Sequence, residues 1–141
     1  MPTQETYISR RAARELAFQF LFSLSQTSRA IHRFDFQVYC DSFATTFDEF
    51  AWEIVDGTLK SLTKLDELIS SHSKNWRIER MPKIDLAILR LAAFEITHRV
   101  EIPKSVSINE AVELAKKFGA EGSPSFVNGI LDNFSKEGFK P

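Results

Sequence analysis

Apolar residues recur along this chain at the spacing of α-helices over nearly its whole length. At 100° per residue, Ala13, Leu16, Ala17, Phe20 and Leu24 share one side of a helix predicted over 9–24. The opposite side gathers Arg10, Arg11, Arg14, Phe18 and Phe22, with Glu15 and Gln19 at its edge. A second helix is predicted over 34–45, carrying Phe36, Tyr39, Cys40 and Phe43, with Phe47 in register beyond it. A third and longer one covers 48–71, with Asp48 as N-cap and a stripe of Ala51, Ile54, Val55, Leu59, Leu62, Leu65 and Ile69. Gly57 lies inside that pattern and is its weak point.

Around 76–81 the sequence predicts a short turn or helical piece ended by Pro82, because a residue before proline avoids the helical region. From 83 to 99 the pattern is apolar almost all round, as in a helix at the centre of a bundle. Residues 100–108 alternate apolar and polar, but Pro103 interrupts them, so an extended connector is expected. Ser107 and Glu110 have capping-box spacing, and Gly119 suits the end of the helix they would open. Ser123-Pro124 restarts a last helix that should bury Val127, Ile130, Leu131 and Phe134. The expectation is an all-α fold of about seven helices and no sheet.

Composition narrows this further. At 141 residues, with 43% hydrophobic and 26% charged positions, the chain has the size and make-up of one globular domain, residues 1–141. Cys40 is the lone cysteine, and His32, His72 and His98 lack ligand-type spacing, so no metal or cofactor site is expected. No nucleophile elbow, Walker loop, dinucleotide fingerprint or HExxH is present, and the chain is read as a non-enzyme. Glu95 and Arg90 are set in the most apolar helix, and a structural ion pair or hydrogen-bonded network is read for Glu95. Ser9-Arg10-Arg11 before a Phe-rich stretch superficially suits an export leader. Arg14, Glu15 and Gln19 interrupt the apolar part, so a cytoplasmic protein with no membrane partner is expected.

The formal net charge of −1 hides an uneven distribution. Residues 1–34 carry five Arg against Glu5 and Glu15, whereas residues 35–75 carry three Lys against eight acids. Guanidinium groups bind phosphate through several donors and aromatic rings stack on unpaired bases, so the first helix is a candidate RNA face. Composition alone favours the plainer arrangement, with Phe18 and Phe22 packed inside and the arginines merely solvated.

Longer stretches shift that balance. Arg10-Arg11-Ala12-Ala13-Arg14-Glu15-Leu16-Ala17, Ile88-Leu89-Arg90-Leu91 with Phe94-Glu95, and Ile102-Pro103 come in that order. They are followed by Ile108-Asn109-Glu110-Ala111-Val112-Glu113-Leu114-Ala115-Lys116, Phe118-Gly119 and Phe126-Val127-Asn128-Gly129-Ile130-Leu131-Asp132. In this order and spacing the chain resembles the NusB family of transcription antitermination factors. The resemblance implies two packed helical subdomains, at about 1–75 and 76–141. It implies binding of single-stranded boxA RNA together with NusE, a small-subunit ribosomal protein. It further implies loading onto RNA polymerase with NusA and NusG, opposing premature termination, notably in ribosomal RNA operons. Position by position, it puts Arg10, Arg11, Arg14, Phe22, Gly122 and Phe126 at the RNA. Phe22 stands where some relatives have tyrosine, and Gly122 where a relative has an acidic residue. Glu79 and Asp85 match acidic positions at the NusE surface, while Asn128 and Gly129 are read as structural, allowing close helix approach and a side-chain hydrogen bond. The alternative is a helical protein-interaction adaptor whose RNA contact is incidental.

Overall fold

The structure, a computed structural model, describes residues 8–24 and 29–137, the last three as backbone only. Among these residues seven α-helices run in order: α1 (Arg10–Ser23), α2 (Arg33–Ser42), α3 (Glu49–Lys60), α4 (Leu62–Ser71), α5 (Lys83–His98), α6 (Lys104–Phe118) and α7 (Ser123–Glu137). A 3₁₀ turn, Ile78–Arg80, precedes Pro82, where the sequence places a short helical piece. The fold is all-helical, as expected.

The most apolar helix is the central one. α5 packs against α1, α3, α4, α6 and α7, which is why Ile88, Leu89, Leu91, Ala93 and Ile96 can all be buried on one short rod. The core continues into Phe36, Ile54, Val55, Leu65 and Ile69 on one flank and Val127, Leu131 and Phe134 on the other. The predicted stripe of α7 is thus buried in full. Each fully buried side chain of this size contributes roughly 1.5–3 kcal/mol.

Caps behave as side-chain chemistry dictates in two places. The Ser9 hydroxyl accepts from the Ala12 N–H at 3.0 Å, and the Asp48 carboxylate accepts from the Ala51 N–H at 2.8 Å.

Elsewhere the sequence expectation needs correction. The long helix over 48–71 is two helices meeting at Ser61, not one rod. The buried Thr58 donates its hydroxyl to the Ile54 carbonyl at 2.6 Å, a back-bond that bends helices. Gly57 is not the break; a Cβ there would lie 2.0–2.7 Å from the Phe94 ring, so glycine lets α5 close on α3. α2 ends at Ser42, ahead of the predicted 45, where Ala44 takes a left-handed φ of 52°. The connector after α5 is shorter than expected, because Pro103 itself starts α6. Ser107 is therefore a buried residue of the first turns rather than a cap, and Glu110 reaches across to α1 instead of back along its own helix. Gly129, expected at a close helix approach, has nothing within 4 Å of where a Cβ would sit, and Asn128 is exposed.

Candidate nucleic-acid interface

The basic side of α1 divides into an inner and an outer set. Arg14, expected at the RNA, is inside; Phe18 is inside too, as the plainer arrangement has it. The Arg14 guanidinium donates Nε to Glu95 at 2.8 Å and Nη2 at 2.9 Å, a bidentate pair that joins α1 to α5. The Ser107 hydroxyl adds a third donor to the same carboxylate at 3.0 Å, bringing in α6. Arginine forks match carboxylate geometry, so this pair fixes both position and orientation. The ion pair foreseen for Glu95 is therefore present, but its cation comes from the predicted RNA face. The Phe18 ring lies against Phe118 at 5.1 Å and against Phe22 at 6.1 Å. Arg90, the other charge foreseen in this helix, pairs with Asp66 through two bonds of 2.8 Å.

The outer set stays accessible. Arg10 is exposed, and its guanidinium carbon stands 3.9 Å from the centroid of the Phe50 ring. Such an arrangement is worth about 0.5–1 kcal/mol at a surface, and it restrains the charge without using its N–H donors. Phe50 also carries Arg14 at 5.4 Å and Arg99 at 5.2 Å, so one ring on α3 gathers three guanidinium groups. Sequence reasoning missed Phe50, because the register that brings it under α1 is a product of folding.

Arg11 is exposed and donates two bonds, 3.1 and 2.9 Å, to the Glu110 carboxylate, which pushes its pKa up. Nearby, Lys117 pairs with Glu15 at 2.7 Å, and Lys116 with Glu113 at 3.2 Å. The strip is thus one of alternating charges, not a purely basic patch. Phe22 retains 38% of its surface. Of the five residues predicted on this face, the structure leaves Arg10, Arg11 and Phe22 at the surface.

The remaining candidates lie at the start of α7 and before α5. Gly122 is exposed, with open space where a side chain would project. Phe126 is half-buried and meets Trp76 edge-on, at 5.8 Å between centroids. Trp76, to which the sequence pattern assigns no role, is 48% exposed. A large ring inside a Ser-His-Ser-Lys-Asn stretch is the signal that could have found it. Glu79 is exposed on the 3₁₀ turn. Asp85 is not at a surface. It is 3% exposed and accepts from the Ser123 hydroxyl at 2.7 Å, while that hydroxyl accepts from the Ala120 N–H at 3.0 Å. The expected partner-facing carboxylate instead ties the start of α5 to the start of α7, in the first turn of a helix where negative charge is favoured.

Among the described residues, no group of three His, Cys, Asp or Glu side chains gathers as a metal site, and no helix is long and apolar enough to cross a membrane. The chain is a helical bundle that leaves arginines and aromatic rings at its surface. Comparison with known proteins gives it a family. Residues 11–136 match the NusB family model. A transcription antitermination protein NusB from Geotalea daltonii is 47% identical over 137 residues, covering 90% of this chain and 94% of that one. The solved T. maritima NusB superposes with a TM-score of 0.82 at 33% identity, over 96% of each chain. A NusB crystallised with NusE and double-stranded RNA shares the fold at a TM-score of 0.80 and 23% identity, over 92% of this chain and 97% of that one. The chain belongs to the NusB family of transcription antitermination proteins, which are non-enzymatic factors.

Proposed function

We propose that this protein works in the cytoplasm as an RNA-binding antitermination factor. Together with NusE it binds boxA-type single-stranded RNA and joins RNA polymerase with NusA and NusG, suppressing premature termination in ribosomal RNA operons. The observation that carries the reading is the pair of exposed arginines, Arg10 and Arg11, heading α1 in a chain whose relatives are antitermination proteins. Arg10, held over Phe50 and exposed, turns its N–H donors to phosphate. Arg11 is exchanged from Glu110 to phosphate, since an exposed ion pair contributes little and is readily replaced. Phe22 and Phe126 offer apolar surface to bases, and Gly122 admits the backbone without a carboxylate to repel it. Glu79 offers an exposed negative charge to a basic partner. Arg14 and Asp85 serve from beneath, holding α1 and the α6–α7 turn in place. The NusB crystallised with NusE and double-stranded RNA, of like fold, supports NusE and RNA as partners.

The test is fluorescence anisotropy with labelled boxA RNA, with and without NusE, at two salt concentrations. Arg10→Ala with Arg11→Ala should weaken binding and lower the salt slope by about 0.7 for each phosphate no longer neutralised. Unchanged affinity in a folded double variant refutes the RNA face and leaves the protein-adaptor reading.

A further inference from the structure

An open pocket of about 680 Å³ lies between the segment that follows α4 and the outer side of α7. Its size falls within the range of about 300–1,000 Å³ typical of small-ligand sites. The Trp76 indole and the Phe126 ring form its aromatic part, and His72, Lys74, Asn75, Ser125 and Asn133 are among its polar lining, with no Asp or Glu among the described lining residues. Gly129 keeps it open, since a side chain there would project into free space. The Trp76 backbone is held locally, where the Ser73 hydroxyl donates to its carbonyl at 2.8 Å. A second groove shares Trp76, Asn75 and Lys74 but adds three carboxylates, Asp66 (paired with Arg90), Glu67 and Glu79, beside Arg77. Trp76 therefore stands between a pocket free of acids among the described residues and a groove that holds three.

Resting on the RNA-binding reading above, we propose that the acid-free pocket seats one unpaired nucleobase of the bound RNA, with Trp76 as its stacking platform. Phe126 is half-buried and set edge-on to the indole at an interplanar angle of 76°, so it braces Trp76 rather than presenting the main stacking face. Side-chain amides carry both donors and acceptors, so Asn75 and Asn133 can pair with a base edge, and Lys74 can meet the adjoining phosphate. A protein segment is the less fitting occupant here. The basic partner that a NusB protein would meet through acids belongs in the neighbouring groove with Glu79.

The chain has only two tryptophans, and Trp52 is buried away from a bound ligand, so quenching that Trp76→Phe abolishes reports the site. Titration with boxA RNA should quench the wild-type protein and leave Trp76→Phe largely unquenched. Anisotropy should show Trp76→Ala losing about 5- to 150-fold in RNA affinity, the worth of one stacked base. Gly129→Gln, which fills the pocket and keeps both rings, should lose affinity as well. RNA binding with no quenching and full affinity in both variants overturns the base site while the RNA reading stands. No RNA binding by the wild-type protein overturns both. Trp76→Ala that loses NusE and keeps RNA affinity assigns the indole to the protein partner and equally overturns the proposal.

Discussion

Replacing Arg14 by alanine tests the inner half of the α1 face. Glu95 is 2% exposed and receives three hydrogen bonds, two from Arg14 and one from Ser107. The truncation removes both charge-assisted bonds and the compensating charge, while the carboxylate stays in the core with a single hydroxyl donor. Breaking a buried pair in this way costs about 3–5 kcal/mol. For a domain whose total stability is about 5–15 kcal/mol, that is a large share, and it lowers Tm by roughly 10–15 °C. Urea unfolding followed by circular dichroism measures the loss. Arg14→Met combined with Glu95→Leu removes both charges and should recover most of it, because a buried ion pair is worth little more than apolar packing. The recovered double variant then separates support from contact. If Arg14 only supports α1, RNA affinity keeps its full salt slope; a direct phosphate contact would flatten the slope by about 0.7. A loss below about 1 kcal/mol in Arg14→Ala, or a double variant no better than the single one, refutes the argument from burial.

Four further outcomes follow from the packing. Gly57→Ala drives a methyl group into the buried Phe94 ring and should cost about 1–3 kcal/mol in chemical denaturation; unchanged stability would mean that the ring swings aside freely. Cys40 is fully buried, and burial pushes its thiol up to about 11, so thiol reagents at neutral pH should label it only when the domain opens. Fast labelling of the native protein without urea contradicts that placement. Ser123→Ala strips the buried Asp85 carboxylate of its hydroxyl donor and should cost about 1–3 kcal/mol in thermal melts. Asp85→Lys should lose helical circular dichroism outright, rather than losing NusE alone in a pull-down from a still-folded domain.

The fold was legible because helices announce themselves locally. Apolar spacing over α1, α5 and α7, and the capping side chain Asp48, depend on neighbours a few residues away. Errors arose where a distant residue decides the local outcome. Ser107 and Glu110 have capping-box spacing, yet each is claimed by another helix, Ser107 by Glu95 and Glu110 by Arg11. Gly57 reads as a helix breaker in isolation, but the Phe94 ring from α5 gives it its use.

The site was legible only in part, for a related reason. Periodicity places Arg14 beside Arg10 and Arg11, and no helical wheel tells a solvated arginine from one whose carboxylate arrives from 81 residues away. The expected structural pairing of Glu95 and the expected surface role of Arg14 were two halves of one interaction, read as two. A charge in an apolar helix calls for a counter-ion, and the nearest basic cluster in a small bundle is the natural place to seek it. Asp85 follows the same logic, since it sits in the first turn of the most apolar helix and its partner is the Ser123 hydroxyl at the start of α7. Residues that hold the framework and residues that meet the partner are thus interleaved along α1 and around the start of α7. A loss of RNA or NusE binding on mutating Arg14 or Asp85 identifies a binding residue only where the folded fraction has been measured on the same sample.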